Sequence, residues 1–312
     1  MPPQNRPAVS PLLVITMGVL AVSTASIFIR FAQEDAPSIV IAAFRLTIAS
    51  LVLSPIAWLR HRAELRALNR RDLLLGLLSG FFLAVHFATW ITSLEYTSVA
   101  SSVVIVTTTP LWVALLSPLV LRESIGRAVA IGLMLSLAGG VIVALNEVCT
   151  LTGEQFSCSN GEAFFQSTSA LGNTLALFGA FSAAGYLVIG RNLRKKLSLI
   201  PYIFVVYGIA ALVLLATMFA FGEAPVGYPP ITYMWFLLLA LVPQLLGHSS
   251  FNWALGYLPA SFVSISLLGE PIGTIILAYL LLQESPAPLE LIGAILILLG
   301  IYIASEKPTP GK

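Results

Sequence analysis

Polar side chains set inside long apolar runs are the residues of this chain that could do chemistry. Glu270 stands near the middle of one run, directly before Pro271, and Ser266 and Thr274 lie one turn either side of it on the same helical face. The proline frees the carbonyl of Leu267 and can bend the helix there. We expect Glu270 to carry a proton or to bind a substrate amine; the alternative is a structural hydrogen bond to a neighbouring helix.

A second polar pattern recurs every four residues at Gln244, His248 and Asn252, which places the three side chains on one side of a helix. Trp253 beside them could stack on a ligand. The stripe favours the lining of a cavity, although these groups could also satisfy one another. No metal site is predicted, because His248 has no second ligand close to it in the sequence.

Aromatic and hydroxyl side chains supply further candidates. His86 and Trp90 lie one turn apart, an arrangement that suits an aromatic or amphipathic solute, although a lone histidine also serves in packing. Thr108 lies in a run of three threonines before Pro110, and Trp112 follows a turn later. Hydroxyls of this kind often bond back to their own helix. Tyr186 in a later run is also predicted to line the cavity.

Arg45 is the basic residue placed well within an apolar run. Arginine keeps its proton, so it must reach water or find an acid. The acids expected nearby are Glu34, Asp35 and Glu95. We therefore predict a structural ion pair or a gate, with recognition of an anionic substrate as the alternative.

The elements that hold these residues are predicted to be membrane-spanning helices. The chain of 312 residues is 58% hydrophobic and 10% charged, with a mean hydropathy of +0.94, which excludes an ordinary soluble domain. Each apolar run has a length that can cross a bilayer. The ten predicted spans cover residues 12–32, 38–59, 73–94, 98–121, 128–146, 171–191, 200–221, 231–254, 260–282 and 288–304.

Basic residues predict the orientation, since cytoplasmic loops hold an excess of Lys and Arg. If the N-terminus is cytoplasmic, fourteen of the sixteen basic residues lie on the cytoplasmic side. The other two, Arg30 and Arg45, lie inside or at the ends of spans. We therefore expect a multi-pass protein of the cytoplasmic membrane with both termini cytoplasmic and no nucleic-acid partner. The two cysteines, Cys149 and Cys158, then lie in the longest outer loop, where a disulfide is expected; two free thiols are the alternative.

The chain repeats itself after 161 residues without a gap. Arg30 aligns with Arg191, Pro110 with Pro271, and Thr109 with Glu270. The repeats cover residues 12–145 and 171–305, joined by an outer linker over 146–170. Five spans in each repeat force opposite orientations, so the fold class predicted is all-α, with two inverted five-helix repeats around a central cavity. An inverted repeat is typical of secondary transporters that work by alternating access.

The repeated residues resemble the two EamA repeats of the drug/metabolite transporter superfamily. The stretches that carry the resemblance are Phe44-Arg45, residues 93–100 leading to Pro110 and Glu123, and their second copy, residues 255–261 leading to Glu270-Pro271 and Glu284. The resemblance implies a small-solute exporter or exchanger whose cavity is lined by spans one, three, four, six, eight and nine.

The sequence therefore predicts a secondary transporter for small metabolites, such as amino acids or similar amphipathic solutes. Its expected partners are the solute, the lipid bilayer, and a proton or a counter-substrate. No cofactor is expected, and no nucleotide-binding loop of the Gly-Lys-Ser/Thr type is present, so gradients must drive transport. Two alternatives stay open: a channel-like facilitator, and an intramembrane enzyme that pairs Glu270 with His86 or His248 as acid and base.

Overall fold

A computed structural model describes residues 9–121, 126–145, 149–152, 155–158 and 168–305. Helical segments occupy all ten predicted positions, and we number them helix 1 to helix 10. The continuous helices are helix 2 (Ser38–Arg60), helix 3 (Arg70–Tyr96), helix 5 (Arg127–Leu145), helix 6 (Thr168–Arg194), helix 7 (Leu199–Ala220) and helix 10 (Pro288–Ser305). A short helix, Arg62–Arg66, connects helices 2 and 3.

The remaining four helices are interrupted inside the bundle. Helix 1 consists of Pro11–Val22 and Ala25–Gln33, and helix 4 of Val99–Val106 and Thr109–Val120. Helix 8 runs as Pro230–Leu239, a π-helix Ala240–His248 and Ser249–Ala254. Helix 9 runs as Ala260–Ser266, a 3₁₀ turn Leu267–Gly269, Glu270–Leu277 and a π-helical end Ala278–Leu282.

Length and hydropathy make the fold that of an all-α membrane protein. Among the described residues, eight of the helices are long and apolar enough to cross a bilayer: helices 1–4 and 6–9. Helix 10 contributes a shorter apolar stretch, Pro288–Gly300, so the predicted count of ten spans is not established. Helix 3 shows the pattern expected in lipid, because it buries Ser79, His86 and Ser93 while Leu74 and Phe81 are exposed.

The two repeats run in opposite directions, as predicted. Helix 6 lies antiparallel to helix 3, since Gly172 packs against Ser93, Gly179 against Trp90, and Gly185 against Phe82. The first part of helix 4 contacts the second part of helix 9, and the second part of helix 4 contacts the first part of helix 9. Repeat-related helices 4 and 9 are therefore antiparallel, which is the relation that an inverted repeat requires.

Each end of the helical bundle carries a salt bridge, and we name the ends after these contacts. The Glu284 end carries Arg30 and Glu284, whose Nη2 and Oε1 atoms form a salt bridge of 3.2 Å. The Lys196 end carries Lys196 and Asp72, whose Nζ and Oδ1 atoms are 2.9 Å apart. Odd-numbered helices run from the Lys196 end to the Glu284 end, and even-numbered helices run back.

The linker between the repeats contains a structure that the sequence analysis did not predict. Strands β1 (Cys149–Thr152) and β2 (Gln155–Cys158) pair antiparallel, with Cys149 as the cross-strand neighbour of Cys158. Directly opposed positions bring Cα atoms to roughly 4.5–5.5 Å, a separation that a disulfide can bridge. The pairing of the backbone is compatible with the disulfide, which stays a prediction.

Close backbone contact holds helices 5 and 10 together. A Cβ atom on Gly139 would lie 2.5 Å from the carbonyl oxygen of Gly293 and 2.8 Å from the Ile297 side chain. Small residues allow such an approach in lipid, where association depends on van der Waals packing. The contact pairs helix 5 with its repeat equivalent, helix 10.

We predict that Gly139→Ala lowers the free energy of unfolding by about 1–3 kcal/mol, because backbone must shift to admit the methyl group. Gly208→Ala is the matched control, since a Cβ atom at Gly208 in helix 7 meets nothing within 4 Å. Thermal unfolding of the purified protein in detergent measures both effects. A melting temperature of Gly139→Ala equal to that of Gly208→Ala would contradict the contact.

Candidate functional site

A cavity lies between the two repeats, where the interrupted helices meet. It contains about 560 Å³ of space not filled by protein atoms. The residues that line it come from helices 3, 4, 6, 8 and 9, and they are His86, Trp90, Val106, Thr107, Thr109, Ala183, Tyr186, Leu187, His248, Phe251, Leu267 and Glu270. The wall is thus mainly apolar and aromatic, with a few polar groups that converge on one space.

Of the described residues that line this wall, Glu270 supplies the carboxyl group, and only 8% of the residue is exposed. It begins the helical piece that follows the 3₁₀ turn of helix 9, because Pro271 cannot continue the hydrogen-bond ladder. The interruption of helix 1 lies against it. The Ser23 hydroxyl donates to the Glu270 carbonyl at 3.3 Å, and the Thr274 hydroxyl donates to the Ser23 carbonyl at 3.0 Å.

His86 is held in one tautomer by helix 6. Its Nδ1 atom lies 2.9 Å from the Gly179 carbonyl oxygen, so Nδ1 carries the hydrogen and the neutral ring keeps a lone pair on Nε2. The ring stacks on Trp90 with centroids 5.8 Å apart and planes at 10°. The His248 ring lies 6.3 Å away, centroid to centroid. The two histidines therefore face one cavity from opposite repeats.

Helix 4 is interrupted before Pro110, which has no amide hydrogen for the Val106 carbonyl, and the hydroxyls of the threonine run bond to carbonyls of the preceding turn. The Thr107 hydroxyl lies 2.8 Å from the Val103 carbonyl, and Thr108 donates to Ile105 at 2.7 Å. Thr109 donates to the Val106 carbonyl at 2.8 Å, which Pro110 leaves without its usual amide partner. Thr107 and Thr109 consequently line the cavity. Thr108, the expected lining residue, is buried but is not on the wall.

A hydrogen-bond chain runs from the wall into the bundle. The Tyr186 hydroxyl donates to Asn252 Oδ1 at 2.5 Å, and Asn252 Nδ2 donates to the Tyr207 hydroxyl at 3.0 Å. The Tyr207 hydroxyl lies 3.3 Å from the Ser249 hydroxyl, which in turn donates to the Gln244 carbonyl at 3.3 Å. This network joins helices 6, 7 and 8, so Asn252 supports the cavity from behind.

Arg45 differs from its expected role. Its Nε donates to Gln244 Oε1 at 2.8 Å, and its guanidinium lies 4.1 Å from the centroid of Phe87. Arg45 is fully buried, and its Nη1 and Nη2 atoms have no hydrogen-bond partner among the residues that the structure describes. The expected acids bond elsewhere: Glu95 accepts from Ser38 and Asp35 accepts from Thr232. A neutral amide and an aromatic ring hold the Arg45 guanidinium in place of these acids.

The polar stripe on helix 8 divides because the helix is not α-helical there. Pro243 lies within the π-helix Ala240–His248, whose wider turn changes the angle between side chains four residues apart. As a result Gln244 meets Arg45, His248 lines the cavity, and Asn252 meets Tyr186 and Tyr207. A four-residue spacing alone could not reveal this division.

The structure thus brings together five of the predicted residues on the wall: His86, Trp90, Tyr186, His248 and Glu270. Gln244, Asn252 and Arg45 lie directly behind it, and Trp112 packs against Phe181 away from the wall, with ring centroids 5.5 Å apart. Among the described residues, no group of three or more His, Cys, Asp or Glu side chains is placed to hold a metal ion. The apolar lining residues Phe251 and Leu267 were missed, since apolar residues on these helices look alike in sequence.

Apolar helices in two opposed repeats, with a polar and aromatic cavity between them, define a helical membrane protein of the transporter type. The chain belongs to the EamA-like transporter family, part of the drug/metabolite transporter superfamily, and the family model matches residues 9–145 and again 170–305.

Curated relatives carry the same broad description. An uncharacterized transporter of Archaeoglobus fulgidus is 28% identical over 301 residues, covering 95% of this chain and 96% of the relative. The uncharacterized transporter YdfC of Bacillus subtilis is 26% identical over 270 residues, covering 86% and 81%. A solved crystal structure matches with a TM-score of 0.69 at 16% identity, over 96% of this chain and 98% of the other, and it supports the fold alone. The two curated relatives are both named as transporters.

We predict that Gln244→Leu lowers the free energy of unfolding by about 1.5–3 kcal/mol, because it removes the hydrogen-bond acceptor of a buried guanidinium. Gln244→Glu is the matched variant, since it keeps the acceptor and adds a charge that neutralises Arg45. Thermal unfolding in detergent should therefore rank Gln244→Leu lowest. If Gln244→Leu melts with the wild type, Arg45 does not depend on this bond.

Proposed function

We propose that the protein is a secondary transporter that exports or exchanges small amphipathic metabolites, such as amino acids, across the cytoplasmic membrane. The observation that carries this proposal is the position of the cavity. It lies between two oppositely directed repeats, and both contribute to its wall: His86 and Thr109 from one, His248 and Glu270 from the other. Binding sites at the interface of inverted repeats are typical of secondary transporters.

Alternating access is supported by where the helices are interrupted. The break of helix 4 at Thr107–Thr108 and the 3₁₀ turn of helix 9 at Leu267–Gly269 occupy repeat-related positions beside the cavity. A helix without a regular hydrogen-bond ladder bends at lower cost than a continuous one. Each repeat therefore has a hinge at the depth of the proposed binding site.

Contacts at the Glu284 end supply the gate in our proposal. Besides its salt bridge with Arg30, Glu284 accepts a hydrogen bond from the Val99 amide at 3.0 Å, and Arg30 donates to the Thr97 carbonyl at 3.1 Å. The salt bridge and the Val99 bond join the two repeats, whereas the Arg30–Thr97 bond lies within the first repeat. The ion pair is partly exposed, so its contribution is of the order of 1 kcal/mol or less, which suits a contact that must open in each cycle.

The distribution of basic residues assigns the Lys196 end to the cytoplasm. On that assignment the Glu284 end, with its salt bridge between the repeats, faces outward. Both termini are cytoplasmic in this proposal. Glu270 is then the group that exchanges a proton for the solute, or binds the solute directly, between the two sides.

Counterflow in proteoliposomes tests the proposed function against a channel or an enzyme. A panel of radiolabelled amino acids and amines is offered to vesicles loaded with the same unlabelled solute. A carrier gives saturable, transient accumulation of label, whereas a channel gives only equilibration. Chemical conversion of the solute without a gradient would identify an enzyme.

We predict that Glu270→Gln reduces proton-driven transport roughly tenfold or more, because the amide can neither take up nor release a proton. Glu34→Gln, at an exposed site, is the matched control. Uptake is measured with and without an imposed pH gradient. Full activity with an unaltered pH profile in Glu270→Gln would remove Glu270 from the coupling mechanism.

We predict that Arg30→Gln exposes the cavity to the outside more often, because it removes the ion pair with Glu284. Labelling of Thr107→Cys by a membrane-impermeant thiol reagent, in a chain that carries Cys149→Ser and Cys158→Ser, measures this exposure. A loss of about 1 kcal/mol corresponds to roughly fivefold faster labelling. Arg62→Gln, at an exposed position in the short helix, should leave the rate unchanged; equal rates in both variants would rule out the gate.

A further inference from the structure

The hydroxyl groups on the cavity wall have already used their hydrogens. The Thr107 hydroxyl donates within helix 4, and the Thr109 hydroxyl lies 2.8 Å from the Val106 carbonyl and 3.3 Å from the Ala180 carbonyl. A hydroxyl has one hydrogen and two lone pairs. What Thr107 and Thr109 can offer a ligand is therefore a lone pair, so both act as hydrogen-bond acceptors.

The ring of His86 is in the same situation. Its Nδ1 hydrogen goes to the Gly179 carbonyl, which leaves Nε2 as an acceptor. When Glu270 is ionised, its carboxylate has acceptor oxygens only, and the Tyr186 hydroxyl hydrogen goes to Asn252. Acceptors thus reach the cavity from helix 3, helix 4, helix 6 and helix 9.

Donors are fewer on this wall, and they are neutral. Trp90 has an Nε1 hydrogen without a partner, and the neutral ring of His248 has one N–H group. The nearby cation, Arg45, is fully buried against Phe87 and Gln244 and is not part of the wall. A ligand that matches this arrangement presents several N–H groups and an apolar body.

We infer that Glu270, His86 Nε2 and the hydroxyl oxygens of Thr107 and Thr109 form a subsite for a primary ammonium group, with the rings of Trp90 and Phe251 beside the body of the ligand. This inference rests on the proposed function and names the substrate class: a primary amine with an aromatic or apolar body. An ammonium group brings three N–H donors to a wall of acceptors.

The position of Arg45 makes hydrogen bonding, rather than charge, the source of selectivity. Arg45 lies 4.1 Å from the centroid of Phe87, and the Phe87 ring contacts both His86 and His248, so a fixed positive charge stands behind the subsite. The attraction between opposite charges is thereby reduced. Binding must then depend on the neutral acceptors, and a cation without N–H groups gains nothing from them.

Two probes with the same ring and the same charge test the subsite. These are 2-phenylethylamine and its N,N,N-trimethyl derivative, titrated into the purified full-length protein in detergent by isothermal calorimetry. We expect the primary amine to bind at least tenfold more tightly, the difference expected for hydrogen bonds to a charged group. Equal affinity, or tighter binding of the quaternary cation, would overturn the inference.

His86→Phe keeps the stacking on Trp90 and removes the Nε2 acceptor, so it should reduce the preference for the primary amine by about tenfold. Thr92→Val is the matched control on the same helix, because the Thr92 hydroxyl donates to the Ala88 carbonyl away from the wall. Thermal unfolding confirms that each variant is folded. If His86→Phe does not fold, His86→Gln is the second test, because glutamine retains a hydrogen-bond acceptor. His86→Gln should then preserve the preference for the primary amine, and loss of that preference would overturn the inference.

The calorimetric readout separates this inference from the proposed function. Selective binding of the primary amine without any counterflow in vesicles would keep the subsite and reject transport. Saturable counterflow of solutes with no preference for a primary amine in either assay would keep transport and reject the subsite.

Discussion

The whole arrangement depends on the absence of water in the apolar interior. A buried polar group there needs a partner within the protein, because an unpaired one costs on the order of 1–3 kcal/mol, and more if charged. The structure answers this requirement locally. The hydroxyls of Thr107, Thr108 and Thr109 take the carbonyls of the preceding turn, and the Thr274 hydroxyl takes the Ser23 carbonyl. The interrupted helices are therefore stable at the depth where a regular ladder is missing.

The two repeats share their architecture and differ in their chemistry. Helices 4 and 9 are both interrupted beside the cavity at positions that align after a shift of 161 residues. The other repeat-related pairs differ more. Helix 1 is interrupted whereas its repeat partner, helix 6, is continuous, and helix 8 contains a π-helix where its repeat partner, helix 3, is regular. Thr109 and Glu270, which are equivalent by sequence, supply a hydroxyl and a carboxyl group. The symmetry of the two repeats accounts for the cavity between them, and residues that differ between the repeats give its two sides different polar groups.

The fold could be predicted because its signals are long. Apolar runs fix the helices to within a few residues, and the duplication fixes their relative orientation without any knowledge of contacts. The short hairpin from Cys149 to Cys158 was not predicted, since two four-residue strands give little sequence signal.

The site could be predicted only in part, for reasons of local geometry. Ionisable and aromatic residues stand out in an apolar bundle, so His86, His248 and Glu270 were found. Because of the π-helix, the Gln244 side chain contacts Arg45 and not the cavity. At the break in helix 4, Thr107 and Thr109 line the cavity, whereas Thr108 does not. Arg45 was assigned to the outer carboxylates of its own repeat, whereas its hydrogen-bond partner, Gln244, lies 199 residues away in the other repeat. Helical periodicity cannot anticipate departures from the α-helix or pairings across repeats.

In our proposal, the two ends of the bundle open in turn around one cavity. Spin labels at Glu34 and Leu282 measure the Glu284 end, and labels at their repeat equivalents, Lys195 and Leu121, measure the Lys196 end. Pulsed electron resonance in lipid, with and without a transported solute, should show one distance lengthen as the other shortens. If both distances lengthen together, or if neither changes when the solute is added, alternating access is contradicted.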